Sequence, residues 1–449
     1  MQIDASSNST IVKMIKDILK FETDIFNMTL LPENERSNGT TEYVKMTLDE
    51  LKKNYSYFDW EEYINYLRGT PINATATTII IEDIKFLKNL KYLLNSTEKI
   101  IQLNYITWKH YQRKYKIFHH QLNSDDCVNI MIKELPIAMG AIYYQNYVDN
   151  SIKDDVLQII LDIKNQYSDM IINSYWIDDM TKKKAIEKLE SLKYFFECPK
   201  EFLNNSIIDK FYGRLKFSDS DNYIDQSIQV DVFNRKYLLT HKNENFSVLW
   251  VLFMLKYNAC YFRTYNIIAL PPVYQNVLFK KNNLNAINYG LIGGTIGHDA
   301  NGIRNNWWRN DSLQNFNDRA MCMVEQYGNY TMPEINANVN GTLTLGENIA
   351  DNSGLKAAYH AYIKKLKSSS EGERLPGLDY NSKQLFWISY ANKWCEKVTI
   401  EGSKSVLLDS HAPSEFRVIG PLSNMKEFSI DFQCPIGSKM NPIKKCTVW

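Results

Sequence analysis

The chain has 449 residues, 44% hydrophobic and 13% aromatic, with 52 Lys and Arg against 51 Asp and Glu. That apolar content is enough for one large core or two smaller ones, and two domains are expected. The balanced charge lacks the basic excess or stripe of a nucleic-acid or anionic-membrane surface. The most apolar run, Val248 to Leu255, stops at Lys256, far short of the ~20 residues of a membrane span. It reads as a buried strand or helix segment. Met1 to Asn8 is polar and shows no apolar signal core.

Taken in chain order, residues 1 to 150 read as helical. Ile11, Ile15, Leu19 and Phe26 fall at roughly helical spacing, and Leu87, Leu90, Leu93 and Leu94 repeat the pattern. The polar stretch Pro32 to Thr41 reads as an exposed loop. Ser151 to Ile177 is the clearest amphipathic helix. Ile152, Val156, Ile159, Ile160, Ile163, Tyr167 and Met170 share one face. Asp179 and Thr181 offer caps for a second helix through Ala185, Leu189 and Leu192. Residues 200 to 290 mix Asn-rich loops with short apolar runs. From Met321 onward, helical patterns alternate with loops marked by Gly and Pro. The expected class is mainly α with a small β component.

Eleven Asn-x-Ser/Thr sequons, from Asn8 to Asn340, point to an extracellular chain. The seven cysteines (127, 198, 260, 322, 395, 434, 446) form no close-spaced metal pattern, and their odd number leaves at least one without a partner in the chain. Cys198 and Cys260 read as buried thiols.

Three segments can carry chemistry. A zinc peptidase helix needs two His at i and i+4, with a Glu beside the first, and a third ligand from another helix. Asn288-Tyr289-Gly290 leads towards such a site and reaches His298, but Asp299 follows it and Gly302 stands four positions on. None of the seven His lies in an H-E-x-x-H. In Gly346-Glu347-Asn348-Ile349-Ala350-Asp351, the two acids lie four apart, on one helix face. One can ligate a metal while the other orients a ligand His. In Asp409-Ser410-His411-Ala412-Pro413, followed by Arg417, a His and an Arg flank a Pro-containing loop and can stabilise an oxyanion.

In this order the pieces resemble the neprilysin and endothelin-converting-enzyme family of zinc metalloendopeptidases. Further matches are Asn258-Ala259-Cys260-Tyr261, Leu375 to Leu378, Gln384 to Trp387, Trp394-Cys395, Met440-Asn441-Pro442 and Lys445 to Trp449. The resemblance implies a two-lobed ectodomain, with a helical cover-domain remnant over 1–150 and a thermolysin-like peptidase domain over 151–449. It implies zinc as cofactor, with His298 and Glu347 as ligands of an incomplete site. Asp351 would orient a ligand His, and His411 would stabilise the tetrahedral intermediate. Arg417 would hold a substrate carbonyl or support the site. Asn258 and Ala259 would hold a peptide backbone, and Cys322 would pair with Cys446.

On this alignment the catalytic Glu and the second His are deleted. Asp299 to Gly302 is the end of a loop drawn up against His298, and a second gap follows Gly302. The expected protein is therefore a catalytically inactive homologue that binds peptides. The alternative is an active zinc endopeptidase cleaving small peptides on the amino side of apolar residues. That alternative needs another ligand, and His360 is the only nearby candidate in sequence, thirteen positions past Glu347 and off its helix face. On the resemblance, the family's opening anchor or signal segment is expected to fall outside this sequence. Cys127, Cys395 and Cys434 look like halves of its disulfides, and the chain is expected to be secreted or to belong to a membrane-anchored ectodomain.

Overall fold

The computed structural model describes residues 9–29, 44–69, 71–81, 83–119, 123–240, 254–262, 265–300, 308–368 and 374–449. The loop expected at Pro32 to Thr41, most of Val248 to Leu255, and the gap expected after Gly302 lie outside them. The described chain is mainly helical, with one three-stranded and two two-stranded sheets. No described helix is long and apolar enough to cross a membrane.

The chain divides into two compact units, residues 1–139 with 204–249, and residues 140–203 with 250–449. The sequence reading expects a single boundary near residue 150, whereas each unit draws on two separate stretches of chain. The reason lies in Glu134. Its carboxylate accepts from Ser227 Oγ at 2.6 Å, and its carbonyl accepts from Asn234 Nδ2 at 2.8 Å. These bonds fasten the Tyr223–Thr240 helix to the first unit.

In the first unit the helix expected from Ile11 onward spans Ser9–Thr29. Phe21 is its buried residue, edge-on to Tyr105 at 5.2 Å, whereas Ile15, Leu19 and Phe26 stay exposed. The Val44–Thr47 and Thr78–Ile81 strands pair antiparallel. Thr47 then caps the next helix through a reciprocal box with Glu50, which satisfies two backbone donors that a helix start otherwise leaves unpaired.

In the second unit the amphipathic helix spans Lys153–Asn173 and buries Val156, Ile159, Ile160, Ile163 and Tyr167 as its spacing predicts. It ends four residues before the expected Ile177. The cap of the following Asp179–Glu190 helix is Asp178, whose carboxylate accepts from Thr181 N at 3.0 Å. The three-stranded sheet runs Lys193–Phe195, Ile267–Ala269, Cys260–Phe262, with the first pair parallel and the second antiparallel.

The core gathers around the Leu345–Ser368 helix, which is buried from Asn348 to Leu355 and again over Ala357 to Tyr359. Small residues at 350, 354, 357, 358 and 361 let neighbours approach closely. Tyr359 stacks on Trp387 at 4.2 Å, and Tyr362 lies nearly parallel to Phe386 at 5.5 Å. A second cluster includes Trp176, Tyr327 and Val448. The Cys322–Cys446 disulfide joins the Asn310–Gly328 helix to the chain's last residues there, in the pairing that the family resemblance implies.

Candidate functional site

A wide helical turn over Tyr289–Gly293 feeds directly into the Gly294–Ala300 helix. This short helix crosses the Leu345–Ser368 helix at Gly297 and Gly354. A Cβ on Gly354 would lie 2.3 Å from the backbone nitrogen of His298, and one on Gly297 would lie 2.5 Å from the Gly354 carbonyl oxygen. Real Cβ atoms do not approach backbone so closely, so both positions require glycine. Glu347, Asp351 and Gly354 follow an i, i+4, i+7 spacing, which is one face of a helix. The crossing therefore sets His298 against both carboxylates. Tyr167 donates to the Gly297 carbonyl at 2.8 Å, satisfying one of the acceptors that a helix end leaves open.

Asp351 is 4% exposed and fully engaged. Its Oδ1 lies 2.9 Å from His298 Nδ1. Arg417 grips both of its oxygens, Nε to Oδ2 at 2.7 Å and Nη2 to Oδ1 at 2.8 Å. Two-pronged pairs of this kind are among the stronger charged hydrogen bonds. Burial alone would raise the Asp351 pKa, but the Arg417 charge and the His298 contact hold it well below the carboxylate range. Arg417 also lies over the Trp394 ring at 4.1 Å.

With Nδ1 turned to Asp351, His298 presents Nε2 to Glu347 Oε2 at 2.9 Å. Burial opposes protonation of this imidazole, but hydrogen bonds to Asp351 and Glu347 outweigh it and raise its pKa to about 9. Glu347 is lowered despite its burial, because His298 and His411 stand beside it. His411 arrives from the loop before the Ser414–Asn424 helix. Its Nε2 lies 3.5 Å from Glu347 Oε2, and its Nδ1 lies 2.8 Å from Asp409 Oδ1. Asp409 Oδ1 also accepts from the His411 backbone N–H at 2.7 Å, an Asx turn that fixes the loop. One ligand atom from each of His298, Glu347 and His411 lies within 4.8 Å of the other two.

The structure thus brings together His298, Glu347, Asp351, Arg417 and His411. Ala259 is buried and Asn258 exposed, in the segment entering the Cys260–Phe262 strand. Asp299 differs from the sequence reading. It lies within the helix, not in a loop, since His-Asp-Ala contains no helix breaker and the glycine crossing holds the backbone here. Its carboxyl is buried, Oδ2 has no hydrogen-bond partner, and burial raises its pKa to about 6. Gly302 lies outside the described residues. His360 is turned away to Glu427, at 3.2 Å. Sequence reasoning passed over Asp409, although an Asp two residues before a His is a turn signal. It also passed over the half-buried Lys393, which donates to Thr295 Oγ1 and whose pKa is lowered to about 8 by desolvation and the nearby Arg417 charge. Nothing local in its sequence marks Lys393, because its burial is set by tertiary packing.

The sequence profile of peptidase family M13 matches residues 2–199 and 258–448. Neprilysin-11 of Caenorhabditis elegans is 33% identical, over 97% of this chain and 56% of its own length. Endothelin-converting enzyme 1 of Bos taurus is 32% identical, over 100% of this chain and 64% of its own length. The chain therefore spans a little over half to about two thirds of these relatives. Among solved structures, the fold resembles zinc metalloprotease ZMP1 of Mycobacterium tuberculosis, with a TM-score of 0.77 at 22% identity, covering 97% of this chain and 70% of that one. It resembles PepO of Lactobacillus rhamnosis equally well, with a TM-score of 0.77 at 21% identity over 97% and 71%.

Proposed function

The chain belongs to peptidase family M13, whose peptidases depend on zinc, and on that premise we propose a peptide-binding homologue that has lost enzymatic turnover. The carrying observation is the Gly294–Ala300 helix. It supplies His298 but neither the Glu that should follow nor a second His four residues on.

The residues present still fit the metal. Nε2 of His298 and a carboxylate oxygen of Glu347 are adjacent, and Asp351 fixes the imidazole in the way that orients a ligand His. Zinc, when bound by His298 and Glu347, would supply Lewis-acid polarisation of a peptide carbonyl. The chain's own residues do the rest. The Cys260–Phe262 strand sits at the end of its sheet, with Asn258 exposed before it, an arrangement that accepts an extended peptide by strand addition. Arg417 is committed to Asp351, so its role is to hold the carboxylate that holds His298. A missing general base costs about 10²–10⁴ in rate.

A second reading, slow hydrolysis with Asp299 as base, is favoured by that buried carboxyl directly after His298. Its side chain is one methylene shorter than Glu, and a misplacement of about 1 Å costs on the order of 10²-fold. Any residual turnover that disappears in Asp299→Asn belongs to this reading.

An extracellular site of action is part of the proposal, supported by the Cys322–Cys446 bridge and the sequons. Fluorescence anisotropy with short peptides carrying apolar residues tests peptide binding, with mass spectrometry of the same samples. The expected result is saturable binding of uncleaved peptide, weakened several-fold by Asn258→Ala. Absence of saturable binding sinks the proposal.

A further inference from the structure

We infer that His411 serves as the third protein ligand of a zinc site with His298 and Glu347, replacing the second helix histidine that this chain lacks. The metal's identity rests on the reading above; the ligand set rests on the geometry.

The two imidazoles are presented in the same way. Each has Nδ1 held by a carboxylate, His298 by Asp351 at 2.9 Å and His411 by Asp409 at 2.8 Å. Each therefore turns Nε2 towards the same atom, Glu347 Oε2, at 2.9 and 3.5 Å. A carboxylate held against a ligand imidazole fixes its tautomer and raises its basicity, and such a carboxylate–imidazole pair occurs twice around one glutamate. The rings lie 18° from parallel, with centroids 6.4 Å apart.

The spacing also suits the ion. Zinc held tetrahedrally by N and O ligands at about 2.0–2.1 Å sets neighbouring ligand atoms about 3.4 Å apart. The two contacts to Glu347 bracket that value, and all three ligand atoms lie within 4.8 Å. Two imidazoles and a carboxylate make the three protein ligands of an open zinc site, with one position left for a peptide oxygen or water. His360, the substitute considered from sequence, is occupied by Glu427.

This assignment has a functional consequence. A ligand imidazole no longer donates a proton to an oxyanion, so completing the metal site in this way removes a catalytic group. Metal retention then adds to the loss of turnover that the missing general base already brings.

The test uses the full chain loaded with Zn²⁺ alone. X-ray absorption at the zinc edge is expected to show two imidazoles per zinc in the parent protein and one in His411→Gln. Competition with a chromogenic chelator should show at least about 100-fold weaker binding in His411→Gln. Asp409→Asn should weaken binding about 10–100-fold, the usual effect of losing an orienting partner. His360→Gln should bind as the parent does. His411 is half exposed, so its replacement leaves the core intact, and matched thermal melts of the metal-free proteins check this. Unchanged affinity and imidazole number in His411→Gln overturns the inference, as does absence of stoichiometric zinc in the parent. Peptide capture by metal-free protein, measured separately, would leave the binding proposal standing if the zinc assignment failed.

Discussion

The two helices that cross at Gly297 and Gly354 have different fates. The Leu345–Ser368 helix is long and buried, and its acids are answered by partners from elsewhere in the unit: Arg417 for Asp351, His298 and His411 for Glu347. The Gly294–Ala300 helix is seven residues long and contributes one imidazole. The difference lies in how firmly each helix is tied to its surroundings by charge. Asp351 is a buried charge whose removal of partner is costly whether or not metal is bound. At the end of the short helix the buried acid is Asp299, whose pKa is raised to about 6 and whose Oδ2 has no hydrogen-bond partner to lose.

Three substitutions sharpen that contrast. The largest effect belongs to Arg417→Met, which leaves buried Asp351 with His298 alone and strips its Oδ2 of the guanidinium partner. Urea unfolding should show a loss of about 3–5 kcal/mol. A loss under 1 kcal/mol would mean that the long helix does not depend on this pair. Next is Gly354→Ala at the crossing. Its methyl would meet the His298 backbone, so overpacking of about 1–3 kcal/mol is expected. Zinc affinity should fall as well, because His298 moves; unchanged affinity would separate the crossing from the metal site.

The smallest effect tests how the chain is anchored after residues 301–307. Ser312 Oγ donates to Asp178 Oδ2 at 2.6 Å, the Asp178 backbone N–H donates to Ser312 Oγ at 2.9 Å, and the Arg309 N–H donates to Thr181 Oγ1 at 3.3 Å. Desolvation opposes ionisation of Asp178, but the Ser312 and Thr181 bonds and the Arg309 charge outweigh it and lower its pKa to about 2. A carboxylate lowered in the folded state stabilises above its unfolded pKa, about 3.9, and loses that contribution as pH falls through about 2. Asp178→Ala should therefore cost about 1 kcal/mol at pH 7, as for a lost cap, and less near pH 2. A cost that does not change with pH would contradict the linkage.

Much of this was readable from residues whose signal is local. The 3.6-residue spacing from Ile152 to Tyr167 gave a helix and its buried face. The four-residue interval between Glu347 and Asp351 gave the side of a helix that carries the site. What was not readable depends on distance in the chain. The Lys153–Asn173 helix ends early at Ser174, and Asp178, which starts the next helix, is held by Ser312, over 130 positions away. Glu134 recruits residues near 227 and 234, so one boundary in sequence becomes a discontinuous unit in space. Asp299 aligns with a loop of the intact motif, whereas its own neighbours permit a helix. The role of Asp409 depends on the Asx turn that folds it back onto His411, which the residue order alone does not specify.

The most direct measurement is turnover by the zinc-loaded protein at saturating peptide, followed by mass spectrometry until every site has been occupied many times. The account predicts bound, intact peptide, with any cleavage at least about 10³-fold below the 1–10³ s⁻¹ common among enzymes. Cleavage within that range, on the amino side of apolar residues and abolished by chelation, would contradict it.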